Sequence, residues 1–210
     1  MKQAIALFLV FVMMFSLCSC GEKDGETADG SKEDEKGSVT NPYSLGESFE
    51  ITAYDVVPYS AYTPEGRQVE KPIAFGISNV QVLNRQTYSR RENGKEVNYD
   101  NFYLISFELE VLESSVSDSI YLNFDYLKIL NLNTKGKQGN SIVSGSHAEI
   151  PDGYTLFNHQ SVMPLKGLKW DMACVLETED EQDLAYIIFH YCGEDGEFHN
   201  IYVQVDELEY

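Results

Sequence analysis

Positive charge is scarce in this chain of 210 residues: 15 lysines and arginines stand against 34 aspartates and glutamates, for a formal net charge of −19. A nucleic-acid interface needs a basic footprint to displace counterions, so that class of partner is excluded. An acidic protein is also repelled by anionic lipid headgroups and does not lie flat on them. Long apolar runs are missing: the longest uncharged apolar stretch is the 14-residue "AIALFLVFVMMFSL", Ala4 to Leu17, short of the roughly 20 residues a membrane span needs. Helical periodicity is almost absent, as are internal repeats and any βαβ pattern, which argues against a two-lobed α/β solute-binding protein. No Ser-His-Asp arrangement, glycine-rich phosphate loop or HExxH helix occurs, so the sequence offers no recognisable catalytic or cofactor motif.

What is present begins at the N-terminus. One lysine, Lys2, precedes the apolar run, which is the layout of an export signal. The run ends in "LCSC", Leu17 to Cys20. This resembles a bacterial lipoprotein lipobox, with Leu at −3, two small residues, and Cys20 at +1. The alternative, Cys18 at +1, would place Phe15 at −3 and Leu17 at −1, a poor fit. The resemblance implies cleavage before Cys20 and a diacylglyceryl thioether on its sulfur. A single acyl chain gives only marginal anchoring and two give a stable one, so residues 20–210 are expected to be held at the outer face of the cytoplasmic membrane, lipid-anchored and exported. Loss of Lys2 with the leader makes the mature charge one unit more negative.

Residues 21–42, "GEKDGETADGSKEDEKGSVTNP", hold 7 acidic and 3 basic side chains and no Leu, Ile, Phe or Tyr. Such a stretch cannot bury enough apolar surface to offset its ordering entropy and reads as a disordered acidic tether. Three segments result: a signal peptide, 1–19; the lipidated cysteine and linker, 20–42; and one folded domain, 43–210.

In the folded part, apolar residues alternate with period two. In "NFYLISFELEVLE", Tyr103, Ile105, Phe107, Leu109 and Val111 share one face. Trp170, Met172, Cys174 and Leu176 do the same in "KWDMACVLE". Further strands are expected at 47–57, 72–83 (with a bulge near Ser78), 126–132, 184–192 and 197–205. Asn93-Gly94 and Asp195-Gly196 lie between β-rich runs and predict two-residue hairpin tips. Short strands with frequent turn signals point to an all-β sandwich or barrel. The one helical turn allowed is at 178–184.

The order "LGESFEITAYDV", "FYLISFELEV", "FDYLKILNLNTKGK", "MPLKGLKWDMACVLE", "LAYIIFHY" resembles a family of immunoglobulin-like domains in Gram-positive lipoproteins, related to mycobacterial immunoprotective extracellular antigens. Gly46, Gly136 and Gly167 stand where that pattern expects glycine. The resemblance implies an immunoglobulin-like antiparallel β-sandwich and no enzymatic activity.

Few side chains suggest chemistry. Cys174 and Cys192 remain in an exported domain, where disulfides form. With 195–196 as hairpin tip, Cys192 falls opposite His199 and on a face with Ile188, Ile201, Val203 and Val205. That leaves two readings open, an inter-sheet disulfide or two small buried hydrophobes. His190, Cys192 and His199 are the nearest thing to a metal set, one ligand short of most zinc sites, and no metal is expected. Tyr59 and Tyr62, in the loop "VVPYSAYTPEG", are candidate partner-binding groups. Arg90 and Arg91, with Arg85 and Lys95, form the densest basic patch and are candidates too. The chain thus reads as a non-catalytic binding module of the cell envelope. Its expected contacts are the bilayer, through the acyl anchor, and an envelope protein or glycan. An accessory subunit of an envelope enzyme and a solute-binding lipoprotein are the alternatives.

Overall fold

A computed structural model describes residues 35–56, 69–122, 126–142, 150–157, 161–178 and 183–208. They belong to one compact unit, Asp34–Tyr210. Among the described residues there is no α-helix. The strands are β1 (Tyr43–Ser44), β2 (Phe49–Val56), β3 (Val69–Glu92), β4 (Lys95–Ser114), β5 (Ile120–Tyr121) and β6 (Leu127–Asn133). They continue with β7 (Gln138–Ile142), β8 (Thr155–Leu156), β9 (Ser161–Val162), β10 (Lys169–Glu177), β11 (Leu184–Cys192) and β12 (Phe198–Gln204).

Ten strands form one sheet, in the order β1-β12-β11-β6-β7-β10-β4-β3-β2, with β8 beside β10; β5 and β9 pair separately. The sheet doubles over on itself. Phe189 of β11 meets Phe107 of β4 edge-on, with ring centroids 5.3 Å apart, and Phe49 of β2 at 5.2 Å. The β2-β3-β4-β10 part therefore packs on the β6-β11-β12 part, an arrangement consistent with a β-sandwich. The expectation of purely antiparallel pairing needs correction: β1 runs parallel to β12 and β8 parallel to β10, so the large sheet is mixed. β1 and β8 are two-residue strands too short for any alternation to reveal, and each is placed by the tertiary fold.

Alternation located the core. Tyr103, Ile105, Phe107, Leu109 and Val111 all face the main cluster, as do Met172, Cys174 and Leu176, with Trp170 packed at its edge. The opposite face of β4 and β10 is also covered. Phe102, Leu104, Ala173 and Val175 form a second cluster with Tyr154 and Ile150. A third, of Ala185, Tyr186 and Ile188, lies on the far side of β11. The bulge near Ser78 is present: register shifts between Ser78 and Gln81, and Asn79 takes a φ of 52°. Asn93 and Gly94 (φ 49° and 80°) turn the β3–β4 hairpin, whose last pair is Glu92 with Lys95. Gly46, Gly136 and Gly167 lie in the left-handed region, at φ 81°, 73° and 82°.

Two boundaries differ from expectation. Residues 35–42, assigned to the tether on composition, are folded. The Gly37 N–H donates to Asn41 O at 2.7 Å, Tyr202 N–H donates to Gly37 O at 2.8 Å, and Lys36 pairs with Glu47 at 3.0 Å and lies over the Tyr43 ring. Polar composition disguised a segment held by backbone hydrogen bonds rather than apolar burial. The second difference is the β11–β12 turn. It is a three-residue loop, Glu194-Asp195-Gly196, closed by Gly193 N–H to Glu197 O (2.9 Å), with only Gly196 at positive φ (76°). Cys192 consequently pairs with Phe198, not His199. The helical turn expected at 178–184 lies largely outside the described residues; within them Asp183 is irregular and Leu184 opens β11.

Candidate binding cleft

Beside the edge of β2 the molecule opens into a cleft of about 700 Å³ lined by Glu35, Thr52, Tyr54, Tyr191, Gly193, Glu194, Asp195 and His199. β2 supplies Thr52 and Tyr54 from its polar face. The β11–β12 hairpin supplies the opposite wall, and Glu35 comes from the folded segment ahead of β1. Asp195 organises that wall: its Oδ1 accepts from Glu197 N–H at 3.0 Å and lies 2.9 Å from His199 Nε2. The bond to His199 holds the Asp195 carboxyl below the usual aspartate range, helped by the Glu197 amide. The His199 ring stacks on Tyr191 (centroids 5.7 Å, 30°) and lies over the bare backbone of Gly193, where a β-carbon would fall 2.6 Å from the ring. Burial pushes the Tyr191 phenol up, and the neighbouring charges of Glu35 and Asp195 push it further. The cleft thus combines two half-buried tyrosines with three carboxylates, of which Asp195 is hydrogen-bonded to His199. Such a wall suits a cation, through charge and through aromatic faces.

A second depression, of about 570 Å³, crosses the outer face of β2, β3, β4 and β10. Its rows follow strand register: Glu50–Gly76–Glu110–Lys169 and Ser78–Glu108–Asp171. Here the charges are largely consumed internally. Lys169 pairs with Glu110 at 2.7 Å, and Glu108 accepts from Ser78 Oγ (3.2 Å) and from Asn79 Nδ2. A third cluster ties the two layers together. Arg85 Nη1 and Tyr103 Oη both reach Asp183 Oδ1, at 2.6 and 3.0 Å, and the Arg85 guanidinium lies 5.3 Å from the Tyr103 ring centroid. Arg85 is therefore committed to an ion pair and is not part of a free basic patch.

The other sequence candidates fare differently. Cys20, Tyr59 and Tyr62 lie outside the described residues. Arg90 and Arg91 sit near the tip of the β3–β4 hairpin, opposite Val97 and Glu96. Cys174 and Cys192 are both buried, and no disulfide joins them. Cys192 alternates with Ile188 and His190 and pairs with Phe198, whereas Ile201 and Val203 pair with Phe189 and Ile187 on the core-facing side. The face shared with Ile201, Val203 and Val205 thus belongs to Phe189, not to Cys192, and Cys174 points into the main core that Cys192 does not join. The same parity parts the histidines: His190 stacks on Phe198 and bonds Asn200, while His199 faces Tyr191. Among the described residues no group of three His, Cys, Asp or Glu is arranged to hold a metal ion.

Glu35, Tyr54 and Tyr191 were missed by sequence reasoning. The one available signal was Tyr54 on the polar side of an alternating strand, in line with Glu50 and Thr52. Comparison with known proteins yielded no matching family model, no matching curated protein and no matching solved structure.

Proposed function

We propose that this chain is an exported lipoprotein, anchored through Cys20 at the outer face of the cytoplasmic membrane, whose immunoglobulin-like domain is a non-catalytic binding module of the cell envelope. The observation that carries the reading is "LCSC" at the end of a short apolar run, followed at once by an acidic, apolar-poor stretch. That order supplies a two-chain anchor and then a spacer, and two acyl chains suffice for stable attachment without a span. The acidic spacer is repelled by anionic lipid, which favours a domain held away from the surface. An open cleft beside a free strand edge suits contact with a partner better than enclosure of a small substrate.

Labelling of cells with an alkyne fatty acid, followed by fractionation, tests the anchor. The wild-type chain is expected in the membrane fraction, labelled and shortened by its leader. Cys20→Ser is expected to carry no label and to retain the leader. A Cys20→Ser chain that is cleaved before residue 20 and still membrane-bound overturns the reading.

A further inference from the structure

Among the described residues β2 has a sheet neighbour on one side only, β3, and it ends the ten-stranded order. β2 is eight residues long, carries no proline or lysine, and keeps an unbroken register from Phe49 to Ala53 before a shift ahead of Asp55. An open strand of that length is a template for another strand. Across the cleft, β12 pairs with β1 only at Val203 and Gln204, and Phe198, His199 and Asn200 are exposed. The cleft therefore lies beside an open strand edge, with Tyr54 and Tyr191 on its walls and Glu35 and Glu194 at its rim.

Charge decides what fits. In the antiparallel register that would pair two copies of β2 along their whole length, Glu50 of each copy meets Asp55 of the other. Like charges directly opposite are destabilising, and a net charge of −19 adds repulsion between copies. A basic strand meets no such penalty: its amides continue the ladder of β2, while an ammonium or guanidinium entering the cleft meets carboxylates and tyrosine faces.

We infer that the free edge of β2 and the adjoining cleft dock an extended, lysine- or arginine-bearing segment of a partner polypeptide, added as a strand beside β2. This deepens the binding-module reading and rests on it for the partner's location, but it is measured on the purified full-length chain in detergent, so a failure of docking and a failure of anchoring are separable.

The test is calorimetric titration with three acetylated octapeptides. One alternates Lys and Thr, one alternates Glu and Thr, and the third is the Lys-Thr peptide with every second backbone amide methylated. The Lys-Thr peptide is expected to bind with a micromolar Kd. The Glu-Thr and methylated peptides are each expected to bind at least about tenfold more weakly, the first for charge and the second because it cannot form the ladder. Glu35→Gln with Glu194→Gln is expected to weaken the Lys-Thr peptide about fivefold or more, and the charge-matched pair Glu108→Gln with Asp171→Asn to leave it nearly unchanged. Equal binding of the methylated peptide, equal loss in the two double variants, or no binding at millimolar peptide would each overturn the inference.

Discussion

Asn131 and Gly139 face each other across the β6–β7 pair, and the Asn131 amide fills the space that a β-carbon on Gly139 would need. An ideal β-carbon there would lie 2.7 Å from Asn131 Oδ1 and 2.1 Å from the Glu177 carbonyl oxygen. Asn131 Nδ2 in turn donates to that carbonyl at 3.1 Å. β7 is the strand through which the sheet passes from β6 to β10, so glycine and asparagine together let three backbones meet at the turn of the sheet.

Gly139→Ala should therefore destabilise the domain by about 2–3 kcal/mol, since the obstruction is a backbone carbonyl and not a side chain that can swing away. Chemical denaturation measures it. A loss under about 0.5 kcal/mol would show that β7 is not held this closely.

Phe189 stands at the centre of the core, touching the rings of Phe49 and Phe107 from the facing layer. It is fully buried. Phe189→Ala should cost about 3–5 kcal/mol, the usual range for removing a buried aromatic side chain. Phe189→Leu should recover more than half of that. A drop of less than about 1 kcal/mol for the alanine variant would contradict the two-layer packing.

Alkali should loosen the fold through tyrosines. Burial, and next the hydrogen bond to Asp183, push the Tyr103 phenol up; burial does the same for Tyr191. In each case the folded pKa exceeds the unfolded one. The stability they contribute is thus fully present below the ordinary tyrosine range and is lost as pH rises through the folded value. The denaturation midpoint should fall between about pH 10 and 12, and Tyr103→Phe with Tyr191→Phe should flatten that fall. An alkaline limb of unchanged slope in the double variant would mean that other groups govern it.

The cysteines give a simple count. Burial raises the Cys174 thiol far above its ordinary pKa, so it should be inert in the native protein. The chain carrying Cys20→Ser and Cys18→Ser should react with a thiol reagent negligibly when folded. When unfolded without reductant it should release two thiol equivalents, from Cys174 and Cys192. A count of zero in the unfolded, unreduced chain would demonstrate a bridge between them.

Where one face of a strand carries a run of large apolar side chains, alternation alone located the inside. Tyr103 to Val111 and Trp170 to Leu176 point where their spacing says, because burying that row dominates the local free energy. Asn93-Gly94 likewise announced its own turn, since the residues that tolerate positive φ are few. Three features were settled only in three dimensions. A loop one residue longer than the Asp195-Gly196 signal implied moved every partner of β11 by one and assigned Cys192 and His199 to opposite faces. β1 and residues 35–42 are ordered by backbone bonds to the far end of the chain. The cleft exists because β2 ends the sheet while the β11–β12 hairpin, some 140 residues later, stands across from it. Local pattern reports which side of a strand is greasy; which strands become neighbours depends on non-local pairing, and no short stretch of sequence encodes that.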